Sequence, residues 1–386
     1  MPLGYSFIHP LLTQDDSCAG YLVEHAAGAT LAGTTTGIVQ HPQFPRFDKR
    51  HPWFVPADGF ENPGPEQIIP CFAGEQLGME AIKAQETELR KAKRKLALHV
   101  PPNSKLPAPG AWDYAFVPPA QARTLPPFAL HGLASRTTII AIGVQNYSDH
   151  TWAQSNAYTL YTGEFLLTHS APGKKADTSR QKMLELLALI AQDADTEDLN
   201  EIFRQEPKLS YSLLRLVNSA AIAPRTPITS FTQAINLLGR RPLERWLQLL
   251  IYADPDDGQH PNPLLYKAAV RGRLMELLAP KLEPLPDLPN LPDNAFMIGC
   301  FSLLDILLGI SMPEILLQLP ISETAIEALA HHAGSAGKLL QALEIADSRN
   351  LATADRLLEE LAIDKDDFLK AQIDALSWAS RIRQAA

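Results

Sequence analysis

Residues 207–245 read PKLSYSLLRLVNSAAIAPRTPITSFTQAINLLGRRPLER, and this stretch decides how the rest of the chain is read. Leu209, Leu213, Leu216 and Val217 recur at helical spacing and form one buried stripe. Asn218 and Ser219 follow, and the small run Ala220, Ala221 and Ala223 permits close helix approach. Pro224 and Pro227 cannot continue a helical ladder and make a bent connector, with Asn218 and Ser219 expected to hydrogen-bond the bend. Thr229 or Ser230 suits the N-cap of a new helix carrying Ala234, Ile235, Leu237 and Leu238, and Gly239 suits its end. Pro242 fits the first turn of the next helix, through Trp246, Leu247, Leu249 and Leu250. The stretch holds no His-Asp pair, no carboxylate cluster at metal spacing and no glycine-rich phosphate loop. Its pattern is that of a packed, protein-facing helical module.

Bulk properties set the bounds. The chain has 386 residues, enough for two or three domains, and is 46% hydrophobic. A formal net charge of −9 disfavours general nucleic-acid or anionic-membrane binding. No apolar run reads as a bilayer span, and residues 1–10 lack the charged and apolar regions of a signal peptide, so no membrane insertion and a cytoplasmic location are expected. Cys18, Cys71 and Cys300 are far apart and form neither a metal spacing nor a disulfide framework. Cys18 and Cys71 also lack a nucleophile elbow.

Composition divides the chain. Residues 1 to about 170 are rich in Pro, Gly, Thr and aromatics, with strand-like pieces at 5–8, 20–23, 95–100, 114–117, 137–143 and 163–167. One clear helix is expected from about 75 to 95, with Glu86, Arg90 and Arg94 spaced for charge pairs. The stretch 41–70 is dense in proline and aromatics and reads as an irregular loop. From Lys175 the pattern is almost wholly helical, broken at 254–263 and by the loop EPLPDLPNLP at 283–292.

The second half resembles an HDOD domain, a helical relative of the HD phosphohydrolases. DLNEIFRQEPKLSYSLLRLVNSA (198–220), PITSFTQAINLLGRRPLERWLQLL (227–250) and AFMIGCFSLLDILLGISMPEILLQLPIS (295–322) carry the resemblance in order. A catalytic HD protein holds a metal with adjacent His and Asp. The positions that match here are Ser302 and Leu303, so the resemblance implies that this metal site is absent. Asp305 is a lone carboxylate, and adjacent His331 and His332 point about 100° apart on a helix, which suits helix-end or surface roles rather than chelation.

The first half resembles an EAL domain, the barrel-shaped cyclic di-GMP phosphodiesterase module. YSFIHPLLTQDDSCAGYLVEH (5–25) resembles its first strand and hairpin, and LALHVPPN, DYAFVPPA, IIAIGVQNYSDHTWAQSNAY and YTGEFLL resemble later strands in order. The family's metal- and substrate-binding positions map onto Leu22, His99, Val100, Phe116, Pro118, Ile142, Gln145 and Thr162. None of these is the residue that the family's chemistry needs. Glu24, two residues beyond Leu22, keeps the same strand facing and is the alternative register.

The expectation is an α+β multidomain chain: a degenerate, shortened EAL-like α/β barrel at 1–172, in which strands or helices are missing, then an all-α HDOD domain at 173–386. The resemblance implies a non-catalytic bacterial signalling protein without cofactor or metal, binding other signalling proteins as a scaffold or adaptor. Arg215, Asn218, Ser219, Arg225, Arg240, Arg241 and Arg245 are the candidate partner-binding groove. A DNA-contact reading of these arginines is weakened by the interleaved Glu201, Glu206 and Glu244. The rival readings are a cyclic di-GMP sensor, to which Lys174 and Lys175 could contribute, and a residual metal-dependent phosphodiesterase using Glu24 or Asp305.

Overall fold

The structure is a computed structural model. It describes residues 4–26, 33–60, 64–126, 128–168, 240–250 and 263–383, with scattered positions between 185 and 252. The chain falls into two compact units. The first is Met1–Thr168 with Ile345–Asp355 and Asp364–Ile373; the second is His169–Glu344 with Arg356–Ile363 and Asp374–Ala386. The first unit thus draws two short segments from far beyond its barrel.

Eight strands close the first unit into a barrel in chain order. They are β1 (Phe7–Leu12), β2 (Cys18–Glu24), β3 (Trp53–Pro56), β4 (Ile68–Ala73), β5 (Ala97–His99), β6 (Tyr114–Val117), β7 (Thr138–Ala141) and β8 (Leu160–Thr162). β1 is antiparallel to both β2 and β8, and every other pairing is parallel. Among the described residues five helices lie between the parallel strands: α1 (Thr34–Gln40), α2 (Glu80–Lys91), α3 (Pro119–Ala122), α4 (Ala129–Ala134) and α5 (Tyr147–Gln154).

Three expectations need correction. β3 and β4 occupy sequence read as irregular loop or left unassigned. WFVP and IIPCFA are buried on both faces, so they lack the alternation that marks a half-exposed strand, and each carries a proline. The last strand is Leu160–Thr162, while Glu164–Leu167 forms a 3-10 turn. The strand set is also complete, so the barrel is not short of strands. The economy lies in the connections: β5 reaches β6 through residues 100–113 with no α-helix.

The barrel interior is a packed layer of Leu11, Leu22, Phe54, Ile69, Cys71, Ala97, Phe116, Ile140 and Leu160. At about 25 cal/mol per Å² this apolar burial dominates the unit's stability. The late segments complete the barrel rather than decorate it. β8 pairs with β1 only at Leu11 and Leu12, leaving the start of β1 open on that side. Gln372 occupies this gap like a strand residue: its Oε1 accepts from Ile8 N–H at 2.9 Å and its Nε2 donates to the Ser6 carbonyl at 2.7 Å. Phe368 packs edge-on against Tyr5 and Phe7, and Asp355 accepts from Tyr5 N–H at 2.7 Å.

The second unit is helical where it is described. Its elements include α6 (Arg240–Leu250), α7 (Pro263–Leu278), α8 (Leu291–Phe301), α9 (Leu304–Leu308), α10 (Met312–Leu316) and α11 (Glu323–His331). The helices α12 (Gly334–Asp347), α13 (Leu351–Glu360) and α14 (Lys365–Arg383) follow and contribute stretches to both units. α7 and α8 touch backbone to backbone, because a Cβ on Gly299 would lie 2.7 Å from the Arg271 carbonyl oxygen and from Gly272 Cα. Only glycine permits that approach. The stretch Leu291–Leu308 is apolar and long enough for a membrane span, with mean hydropathy 1.5, but 61% of it is buried in the protein. Its apolarity answers to neighbouring helices, as with Trp378 of α14 packing edge-on against Phe296.

Candidate functional site

Strand alternation builds the mouth of the barrel. Side chains two residues beyond the inner layer share its facing, so Glu24 follows Leu22, His99 follows Ala97, Pro118 follows Phe116, Ile142 follows Ile140 and Thr162 follows Leu160. The structure therefore gathers His99, Pro118, Ile142 and Thr162 at one end of the barrel, as the sequence reading placed them, and sets Leu22 and Phe116 one layer deeper, fully buried. Val100 has the opposite parity to His99 and is buried against the outer layer, its N–H bonded to the Phe116 carbonyl. Gln145 lies beyond β7 and is exposed. Thr162 is a structural brace, its Oγ1 accepting from Gly143 N–H at 3.0 Å.

The charge at this mouth comes from Glu24, the alternative register of the sequence reading, and from Glu164 and Arg349, which that reading passed over. Glu24 closes β2 and Glu164 opens the turn after β8. Both reach Arg349, which follows α12. Arg349 Nη2 lies 2.5 Å from Glu24 Oε1, and Nη1 lies 3.3 Å from Glu164 Oε1. His9 Nε2 is 3.8 Å from the other oxygen of Glu24. Burial pushes the Glu24 carboxyl above its usual range, Arg349 pulls it down and Glu164 pushes it up again. His99 stacks on Phe116 with ring centroids 4.4 Å apart, and burial together with the Arg349 charge drives its pKa down to about 3. Burial likewise raises the Cys71 thiol well above its ordinary value. At neutral pH His99 and Cys71 are thus uncharged.

The metal ions implied by the EAL resemblance are tested by this donor set. The strand-end positions present imidazole, proline, isoleucine and threonine, and the two carboxylates share a guanidinium. These residues do not fit a divalent ion, and among the described residues no three His, Cys, Asp or Glu side chains are grouped to hold one. Glu24 was visible in the sequence as the alternative register. Glu164 and Arg349 carried no local signal, since their meeting spans 185 residues.

A second arginine organises the helical unit. Arg271 of α7 is almost fully buried and donates to Ser302 Oγ at 2.7 Å, while Ser302 donates to the Gly299 carbonyl. Arg271 also lies 3.4 Å from Glu344, whose other oxygen is 2.8 Å from His332 Nε2. His332 is the left-handed residue that ends α11, and its partnership with Glu344 raises its pKa. His331 is the last residue of α11, so the two adjacent histidines sit at a helix end. Leu303 is buried and Asp305 accepts from Ile306 N–H. A cation on Arg271, a hydroxyl and a leucine do not fit a divalent metal either.

The candidate groove divides. Asn218 is committed inward: its side chain accepts from Ile228 N–H and donates to the Ile228 and Leu214 carbonyls, each at 2.7 Å. It ties the helix end to the chain beyond the prolines. Ser230 Oγ accepts from Gln233 N–H, so the expected N-cap chemistry is present. Arg245 pairs with Glu276 at 2.6 Å and Asp293 at 2.5 Å. Arg240 and Arg241 lie on α6 without described side chains, and Arg215, Ser219 and Arg225 lie outside the described residues, as do Lys174 and Lys175.

The chain is similar to known proteins over part of its length. The chain is 28% identical over 253 residues to the uncharacterised protein YuxH of Bacillus subtilis, covering 64% of this chain and 59% of that protein. It is 26% identical over 259 residues to the cyclic di-GMP phosphodiesterase CdgJ of Vibrio cholerae, covering 65% of this chain and 57% of that protein. The matches therefore span less than two thirds of these curated relatives. Among solved structures, an HDOD domain protein from Geobacter sulfurreducens aligns at 12% identity over 55% of this chain and 94% of its own, with a TM-score of 0.34. The stretch of sequence that holds Leu209, Leu213 and Val217 is identified by its own match: residues 178–252 match the HDOD domain.

Proposed function

We propose that the protein is a non-catalytic, cytoplasmic bacterial signalling protein. In this reading a degenerate EAL-like barrel accompanies an HDOD domain that binds other signalling proteins, as a scaffold or adaptor in cyclic di-GMP or two-component signalling. The observation that carries it is the barrel mouth, where Pro118, Ile142 and Thr162 stand at strand ends and the carboxylates Glu24 and Glu164 are taken up by one arginine. The EAL-like assignment is supported by the eight-stranded barrel and by β1 and β2 forming the antiparallel hairpin that the resemblance implies. The signalling context is supported by the HDOD match and by similarity to a protein named a cyclic di-GMP phosphodiesterase. Arg215, Ser219, Arg225, Arg240 and Arg241 remain the proposed partner-facing residues; Asn218 and Arg245 serve the fold.

That same similarity favours a second reading, in which the chain binds or cleaves cyclic di-GMP. Calorimetric titration of the full chain with cyclic di-GMP, with and without magnesium or manganese, followed by product analysis, separates the two. No heat and no product supports the adaptor reading, and affinity capture then seeks the partner. Saturable binding without product makes the chain a sensor. Metal-dependent product restores an enzyme and overturns the proposal.

A further inference from the structure

The mismatch between the barrel mouth and a metal has its own consequence. Glu24 and Glu164 come from opposite ends of the barrel sequence, yet each engages a different terminal nitrogen of one guanidinium. That nitrogen fork is planar and charged, and it suits two carboxylates approaching from two sides. Arg349 is held there by a left-handed backbone, φ 64°, a conformation that disfavours residues with side chains. Its N–H bonds to the Ala346 carbonyl and the next N–H to the Ile345 carbonyl, the pattern of a helix end at which glycine is usual. An arginine at a position suited to glycine points to a role for its side chain.

The mouth is also incompletely paired. Glu24 Oε2, Glu164 Oε2 and Arg349 Nε are buried without a hydrogen-bond partner among the described residues. Two carboxyl groups face one guanidinium there, and His99 and Cys71, being neutral, add no cation. His9 is the other titratable group close to Glu24. Such a pocket demands a cation.

We infer that the mouth of the barrel is a guanidinium-binding site whose resident ligand is the chain's own Arg349. The arginine takes the place that a soluble cation takes in an open acidic pocket, and shortening it leaves a site selective for small guanidinium compounds over ammonium or metal ions. This goes beyond the adaptor reading and does not depend on it, because it concerns only what the acidic mouth binds.

The test uses the full chain with Arg349→Ala. Its thermal midpoint should fall by on the order of 10 °C, as expected for a buried charge left without its partner. Methylguanidinium chloride at millimolar concentration should restore part of that loss saturably, at constant ionic strength, and leave wild type unchanged. Methylammonium and manganese should not. The double variant Glu24→Gln/Arg349→Ala should not respond. An absent response in folded Arg349→Ala, an equal response to methylammonium, tighter binding of manganese, or rescue that survives Glu24→Gln would each overturn the inference. Where Arg349→Ala does not fold, nitrogen-15 NMR of wild type reads the same fork. Slow rotation should separate the two terminal nitrogens of Arg349 and should be lost in Glu24→Gln; averaged signals in wild type would refute the assignment.

Discussion

The barrel mouth and the helical unit each set an arginine against carboxylates, Arg349 half-buried and Arg271 buried, but they surround it differently. Arg349 meets two carboxylates and lies near a histidine that it helps to keep neutral. Arg271 meets a hydroxyl and one carboxylate, and that carboxylate holds a histidine whose charge it favours. The barrel cluster is closed, with Glu164 only 4% exposed at its side chain, whereas Glu344 is 29% exposed. Charges shut away from water depend on their partners, and charges at the rim share that work with solvent. Similar ingredients therefore give one structural lock and one softer, proton-responsive contact.

The sharpest way to break the comparison is to remove the arginines. Arg349→Met should cost about 3 kcal/mol in urea unfolding at pH 7, because two buried carboxylates lose their cation. Lowering the pH should shrink that loss, since burial raises the Glu24 pKa and the carboxyl can take up a proton once its cation is gone. Arg271→Met should cost about 1–2 kcal/mol, because Glu344 can turn to water and to His332. Equal losses for the two variants would erase the distinction.

Gly299→Ala probes the scaffold beneath the softer cluster. A methyl group has no room against the Arg271 carbonyl and Gly272, so about 2–3 kcal/mol should be lost, with an unfolding midpoint that falls accordingly. Retained stability would mean that α7 and α8 can separate without penalty.

The two histidines sharpen the contrast through pH. His99 has a depressed folded pKa, about 3, so its contribution is fully present above its unfolded value near 6.5 and is lost as pH falls toward 3. His99→Phe, which keeps the stack on Phe116, should remove up to about 1.4 kcal/mol per pH unit of acid sensitivity in that window. His332 has a raised folded pKa, so its contribution is present below its unfolded value and is lost as pH rises through the folded one. Being half-exposed, it should matter by less than about 1 kcal/mol. His332→Asn should flatten a small decline in stability as pH rises from its unfolded value near 6.5 through the raised folded one; a larger change below that window than within it would contradict the assignment.

Much of this architecture was legible without coordinates. The 3.6-residue stripe of Leu209, Leu213 and Val217 marked the helical half, and that half carries the HDOD match. Ser230 declared a helix start that local chemistry bears out. The hairpin of β1 and β2 and the strands near Leu98, Ala115 and Ile140 were readable because short apolar runs sit between breakers. β3 and β4 were not, because strands buried on both faces lose the period that announces them.

What the sequence determined alone is local: periodicity, caps, breakers, and the residue types at the positions that resemble the EAL and HD sites. These follow from interactions between residues a few steps apart. Only the tertiary structure decided that Gln372 would stand in as a strand neighbour of β1, and that Arg349 would meet Glu24 across 325 residues. A guanidinium has no local periodicity, and its partner is chosen by where barrel closure places two carboxylates. The meeting of Glu164 and Arg349 at the barrel mouth could therefore be found only after the chain was folded.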